Sequence, residues 1–380
     1  MNDSELFNKK SLARICGLDT LRAMAILLVM IFHYKFFVSH ENNFGLFSEI
    51  GWIGVDLFFV LSGYLISRQL FAEIKFDHFS FKIFYLKRAL KILPCYYFVL
   101  FLYFLIPGFT ESPIKVSFWK YALFIQNFDL PISGFSQSWS LCVEEHFYLI
   151  FPVIALLLRN NIRKLLIIMV AIVVSGLIIR GLVWQDLATS ERLDLYTKVI
   201  YYPSYFRLDG IICGIAIAVI ECFYGSFYLR ILRYANILLV FGFCSLLLLC
   251  IIVRDRTSFL TATIGYPLIS VAFAIVLISS LSSNSVLNKY ALPIMPQIAK
   301  WSFGVYLVQK PISVLLAKYF VQLGYDNNSY LIISLNLLTQ LFAGAMLYYT
   351  VEYYGLYLRE IILAKWRGER NGVVLLSSKK

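Results

Sequence analysis

Long apolar blocks alternate with short polar connections from one end of the chain to the other. Ten blocks stand out, near 16–38, 51–71, 83–107, 143–159, 164–184, 208–224, 233–253, 259–281, 299–321 and 329–353. Each approaches the roughly 20 residues that a helix needs to cross a bilayer. The pattern predicts an all-α, polytopic integral membrane protein with about ten transmembrane helices, its partner the lipid bilayer. A shorter apolar piece, Phe118 to Phe128, reads as interfacial or re-entrant. The first block follows Lys9, Lys10 and Arg14, is too long for the apolar core of a signal peptide, and precedes no small-residue cleavage site. It therefore reads as a retained span. Without an internal repeat or low-complexity linker, the chain divides into a cytoplasmic segment 1–15, a transmembrane domain 16–353 and a basic cytoplasmic tail 354–380.

Composition narrows the class. Hydrophobic residues make up 60% of the 380 positions and charged residues 15%, and the mean hydropathy is +0.75. A soluble domain has roughly 45–50% apolar and about 25% charged residues, so a soluble enzyme, a disordered regulator and a disulfide scaffold are excluded. The seven cysteines form no CxxC pair and lie mostly in or beside apolar blocks, as small buried hydrophobes do. Four histidines without close pairing give no metal site.

The net charge of +12 does not point to nucleic acid, because the basic residues sit between apolar blocks rather than on one polar face. They cluster in alternate connections: Arg68, Lys75, Lys82, Lys87, Arg88 and Lys91 after the second block, then Arg159, Arg163 and Lys164, then Arg230 and Arg233, then Lys289 and Lys300. The connection 39–50 holds Glu41 and Glu49, and 185–207 mixes both signs. With an even number of spans, the positive-inside rule places both termini in the cytoplasm.

Ionisable residues inside spans are costly and mark function or interhelical contacts. The first span carries Asp19, Arg22 and His33 in LDTLRAMAILLVMIFHY. Arg22 and His33 are eleven residues apart, about three turns plus 20°, so they share a face about 16 Å apart along the axis. The second span opens GVDLFFVLSGYL. Asp56 there needs a partner, whereas Ser62 and Gly63 read first as a close helix contact. In FYLKRALKILP, Lys87, Arg88 and Lys91 have the spacing to share one patch, which is either membrane anchoring or an anion site. The fourth span opens SWSLCVEEHFYLIFP, with Ser140 and two adjacent carboxylates, Glu144 and Glu145, beside His146. Adjacent residues point about 100° apart, so one of the two faces a given site. Weaker signals are Arg207 and Asp209 in FRLDG, which read as an interfacial pair, Ser302, Tyr306, Gln309 and Lys310 in WSFGVYLVQKP, and Glu352.

In order and spacing these segments, through VEYY near the end, resemble the acyltransferase 3 family of multi-pass membrane acyltransferases, over nearly the whole chain. Arg22 with His33 looks like the family's Arg-ten-residues-His motif, and Glu144 like the acidic residue of its S-L-x-x-E-x-x-F-Y-L motif. Two positions depart from the family. Its Arg-x-x-Arg stands here as Arg88-x-x-Lys91, which keeps the charge but loses the bidentate fork, and Gln309 occupies the place of a frequent histidine. Some relatives carry an extracytoplasmic hydrolase-like domain, and the 380 residues are expected to hold none.

The resemblance implies an O-acyltransferase in the bacterial inner membrane that moves an acetyl group from acetyl-CoA, with no tightly bound cofactor, to a cell-envelope glycan such as lipopolysaccharide O-antigen. His33 is then expected as the catalytic base, with Glu144 or Asp56 stabilising its imidazolium, and Arg22, Arg88, Lys91 and Lys87 on the donor side. Ser62, Gly63, Ser140, Glu145, Arg207, Asp209 and Tyr306 support the site. No Ser–His or Cys–His motif stands out as a covalent nucleophile, which favours direct transfer in a ternary complex. The alternatives are an exporter of a lipid-linked or small polar substrate and an acyltransferase for an antibiotic or other small molecule. The sequence leaves acceptor, acyl chain and oligomeric state open.

Overall fold

The computed structural model describes residues 15–106, 108–110, 114–187 and 193–366. The predicted cytoplasmic segment lies outside these residues apart from Ile15, as does the tail beyond Trp366. Among the described residues there is no strand. The long helices are α1 (Cys16–Tyr34), α2 (Ile53–Lys75), α3 (Phe81–Leu105), α4 (Trp139–Leu157), α5 (Ile162–Leu187), α6 (Asp209–Phe223), α7 (Ala235–Ile252), α8 (Tyr266–Ser280), α9 (Met295–Gln322), α10 (Tyr330–Leu347) and α11 (Tyr353–Trp366).

Each of the ten apolar blocks is helical, as an all-α, polytopic membrane protein requires. Among the described residues eight helices are long and apolar enough to cross a membrane, or nine if α6 is joined to Gly225–Leu232 across a 111° bend. The remaining block, α9, is 28 residues long and is not one of these. It lies in the interior against α1 and α10, where protein rather than lipid surrounds its polar residues, so Gln309 and Lys310 are buried there. The last block also runs on: α10 passes through one wide turn, Tyr348–Glu352, into α11, beyond the expected end at 353. Leu, Ile, Val and Phe side chains on the bundle's outer faces are exposed, as a lipid-facing surface requires. This is a multi-pass membrane protein.

Helix ends follow local chemistry. Ser80 accepts a hydrogen bond from the Ile83 N–H at the start of α3, and Ser329 does the same for Ile332 at the start of α10, each satisfying an orphan donor. The tightest helix pair is α2 with α6. A methyl group added at Gly63 would run into the Ile211 carbonyl oxygen, and one at Gly214 into that of Val60. In a membrane such small residues let backbones meet where hydrophobicity supplies no drive, so Gly63 is a packing residue.

Two buried ion pairs knit this region. Arg207 donates to Asp56 (Nη2 to Oδ1, 2.8 Å) and lies over the rings of Tyr266, Tyr201 and Trp139. Arg180 donates to Asp209 (2.8 Å) and to the carbonyls of Phe206 and Thr263. Arg207 and Asp209 are therefore not each other's partners, nor do they sit at an interface: they are 1% and 5% exposed. Burial makes each charge dependent on its own counter-ion.

Candidate functional site

A cavity of about 500 Å³ opens between α1, α2, α3, α4, α9 and the α10–α11 junction. It lies towards the end of the bundle where α1 begins. Arg22, Arg88, Lys91, Ser62, Ser140, Glu144, Glu145 and Tyr306 all line it, so helices far apart in sequence bring most of the candidate residues together. Glu144 is held by two hydrogen bonds. Both Ser62 (Oγ, 2.8 Å) and Tyr148 (OH, 2.6 Å) donate to Glu144 Oε2. Arg88 donates to Gln69 Oε1 (2.8 Å), and among the described residues its Nε–H has no partner. Lys87 does not join this patch. It pairs with Glu73 at 3.2 Å and is absent from the lining, whereas the adjacent Glu144 and Glu145 both line it, against the expectation that one of the two would.

His33 belongs to a second, smaller space. It lines a chamber of about 30 Å³ with Phe32, Phe36, Phe37, Trp52, Trp139 and Arg256, at the other end of α1. Val55 and Tyr306 line both spaces, so they form the partition. Tyr306 is held there by two bonds: its OH donates to the Gln137 carbonyl (2.8 Å) and accepts from Ser140 Oγ (2.5 Å).

The expected carboxylate partners of His33 are elsewhere. Asp56 is committed to Arg207 and lines neither space, and Glu144 is committed to Ser62 and Tyr148 on the far side of the partition. Among the described residues His33 Nδ1 has no hydrogen-bond partner. The charged groups acting on the ring are Lys310 and Arg256, both cations, and Gln309 adjoins it. Lys310 is 1% exposed. It donates to the carbonyls of Ile132 (3.2 Å) and Gly134 (2.8 Å) and to Ser136 (2.8 Å), and it tethers the segment that shapes the chamber. The second histidine of interest, His146, bonds Ser204 through Nδ1 (2.7 Å) and stacks on Phe128, outside both spaces.

Several site residues carried little or no signal. Tyr148 stands in the F-Y-L end of the motif that holds Glu144, but only the structure shows it donating to that carboxylate. Glu352 is 4% exposed, lines the larger cavity and, among the described residues, has one carboxylate oxygen without a partner, yet in sequence it only ends a block. Arg256 was findable: Arg254 and Arg256 stand in a connection that the charge alternation leaves outside the cytoplasm, against the positive-inside trend. Among the described residues no group of His, Cys, Asp and Glu has the arrangement of a metal site.

The model of the acyltransferase 3 family, described as an acyltransferase domain, matches residues 16–350, and the chain belongs to this family. O-acetyltransferase OatA of Staphylococcus aureus (strain NCTC 8325 / PS 47) is 28% identical over 338 residues, covering 80% of this chain and 52% of the relative. The putative O-acetyltransferase SACOL0978 of Staphylococcus aureus (strain COL) is 27% identical over 350 residues, covering 84% of this chain and 54% of the relative. The chain thus spans about half the length of the curated relatives it matches. No solved structure matches.

Proposed function

We propose that this family member is an O-acetyltransferase of a bacterial inner membrane, moving the acetyl group of acetyl-CoA to a hydroxyl of a cell-envelope glycan. One observation carries the reading: a cavity rich in cations abuts, at Tyr306 and Val55, a chamber that holds a histidine. The named relatives support acyl transfer rather than the alternative of export. Coenzyme A bears several phosphates, and Arg22, Arg88 and Lys91 offer charge-assisted hydrogen bonds to them. The ends of the chain are cytoplasmic in this reading, so the cationic cavity faces the cytoplasmic donor and the chamber faces the acceptor.

The chain's residues then divide the work. The Arg and Lys groups bind and orient the phosphates, and the thioester end reaches the partition at Tyr306. His33 Nδ1 or Nε2 takes the proton of the acceptor hydroxyl as its oxygen attacks the thioester carbon. The new C–O bond forms, the C–S bond breaks, and the thiolate leaves with the electron pair. Without a carboxylate partner, the imidazolium formed beside Lys310 and Arg256 is short-lived and returns its proton to the leaving thiolate or to water. The bonds from Ser62 and Tyr148 fix Glu144 on the donor side, where it sets the shape and charge of that pocket.

The test is transfer of labelled acetyl from acetyl-CoA by the full chain in nanodiscs, joined to mass spectrometry of surface glycans from cells with and without the gene. Acetyl-CoA-dependent labelling and a lost acetyl mass on the glycan are expected. Unchanged glycans, with no labelling of extracted envelope polysaccharide, would remove the reading. A reporter fused after Lys380 tests the orientation, and activity confined to the outside would reverse the assignment of the two cavities.

A further inference from the structure

Beyond the His33 chamber, through Phe32, Phe36, Trp52 and Arg256, lies a cavity of about 870 Å³. Three cations face it, Lys35, Arg254 and Arg256, with two carboxylates, Glu49 and Asp255. Both carboxylates are engaged. Glu49 accepts from the Arg254 guanidinium and from Asn42 (2.7 Å) and stands 3.9 Å from Lys35. Asp255 Oδ1 accepts from the Thr257 N–H (2.8 Å) and hydroxyl (2.7 Å).

Arg256 differs from its neighbours. Its guanidinium lies 5.5, 5.3 and 5.2 Å from the ring centres of Phe32, Phe36 and Tyr201, and among the described residues no carboxylate pairs with it. Aromatic faces hold a guanidinium in place while leaving its N–H fork open to an anion. Trp52 gives an independent sign. It is 2% exposed, lines both the cavity and the chamber, and among the described residues its Nε1–H has no acceptor. A buried donor left unpaired is destabilising, and a ligand that brings an oxygen removes that penalty. Both open donors stand at the doorway to His33.

We propose that this cavity is the acceptor site and that it selects a carbohydrate bearing an anionic group, a carboxylate or a phosphate, close to the hydroxyl that is acetylated. Arg256 pairs with the anion, Trp52 donates to a neighbouring oxygen, and the faces of Trp184 and Tyr196 suit apolar faces of sugar rings. The proposal rests on the acetyltransferase reading.

The full chain in phosphatidylcholine nanodiscs tests it with oligosaccharides identical except for a neutral, carboxylate or phosphate substituent. Binding is read without donor, and transfer is read with labelled acetyl-CoA. Charged oligosaccharides should bind about tenfold or more tighter than the neutral one, and the tighter of the two names the source of the anion. Arg256→Gln should bring that ratio towards one, and Arg256→Lys should restore part of it. Equal binding of charged and neutral sugars, or a ratio that persists in Arg256→Gln, overturns the proposal. So does a preference abolished when phosphatidylglycerol replaces part of the lipid, which would assign Arg256 to headgroups. Arg256-dependent binding with no transfer upholds an anionic-sugar site at Arg256 and removes the acetyltransferase reading on which its role as acceptor site rests; transfer without charge selectivity keeps that reading and removes the anion site.

Discussion

The two ends of the bundle handle charge in opposite ways. Around the cavity of Arg22, Arg88 and Lys91, cations stand among carboxylates, with Asp19, Glu144, Glu145 and Glu352 on the same walls. Around His33 the lining is aromatic, and the charges acting on the ring are cationic. A mixed wall suits a large polyanion: opposite charges hold it while nearby acids limit how tightly it stays. An aromatic wall excludes water, so each remaining charge acts more strongly. In the proposed reading the first arrangement serves binding and the second chemistry.

Removing His33 is the hardest blow to that contrast. His33→Ala should lower acetyl transfer roughly 10²–10⁴-fold while acetyl-CoA binding, measured by calorimetry, stays intact. Full transfer by a well-expressed His33→Ala protein would erase the division of labour. Asp56→Ala comes next, and its effect is on the frame rather than on either end. It leaves Arg207 buried without its counter-ion, which typically costs about 3–5 kcal/mol. A thermal-unfolding shift with loss of folded protein is expected, and a variant of wild-type stability would return Asp56 to the catalytic role first expected of it.

Arg88→Ala sharpens the contrast from the donor side. Loss of a charge-assisted phosphate contact, about 1.5–3 kcal/mol, should raise the acetyl-CoA requirement about tenfold or more and leave the acceptor requirement nearly unmoved. Equal changes in both would mean that the cavities are not separate. The smallest effect concerns Glu49, at the mouth of the aromatic cavity. The hydrogen bond from Arg254 holds its carboxyl below the ordinary value of 4.5, against the opposing pull of burial and with help from Asn42 and Lys35. A depressed pKa stabilises the folded state above the ordinary value, and the gain fades as pH falls below it. The stability gap between wild type and Glu49→Gln should therefore narrow below about pH 4.5. Because Arg254 is 64% exposed, the gap should be small at any pH. A gap independent of pH would show that the Arg254–Glu49 pair contributes nothing to stability.

Much of the site was legible because membrane interiors make charge conspicuous. Arg22, His33, Arg88, Lys91 and Glu144 stand out in apolar runs, and the structure puts each of them on a cavity wall. What failed was pairing. Arg207 and Asp209 are two residues apart yet serve Asp56 and Arg180, from other helices. Lys87 has the helical spacing to join Lys91 but turns to Glu73. Proximity along a chain fixes which groups can meet, and packing decides which do.

By itself the sequence determined the class of solvent, the number of helical blocks and the side chains that lipid could not tolerate, because hydropathy and charge are local properties. Only the tertiary structure decided that α9, with its polar interior, runs inside the bundle, that Tyr306 stands between two cavities, and that His33 sits with cations rather than carboxylates. Those facts depend on contacts between residues more than a hundred positions apart, such as Gln137 with Tyr306, and such contacts are set by the joint packing of many helices rather than by any one of them.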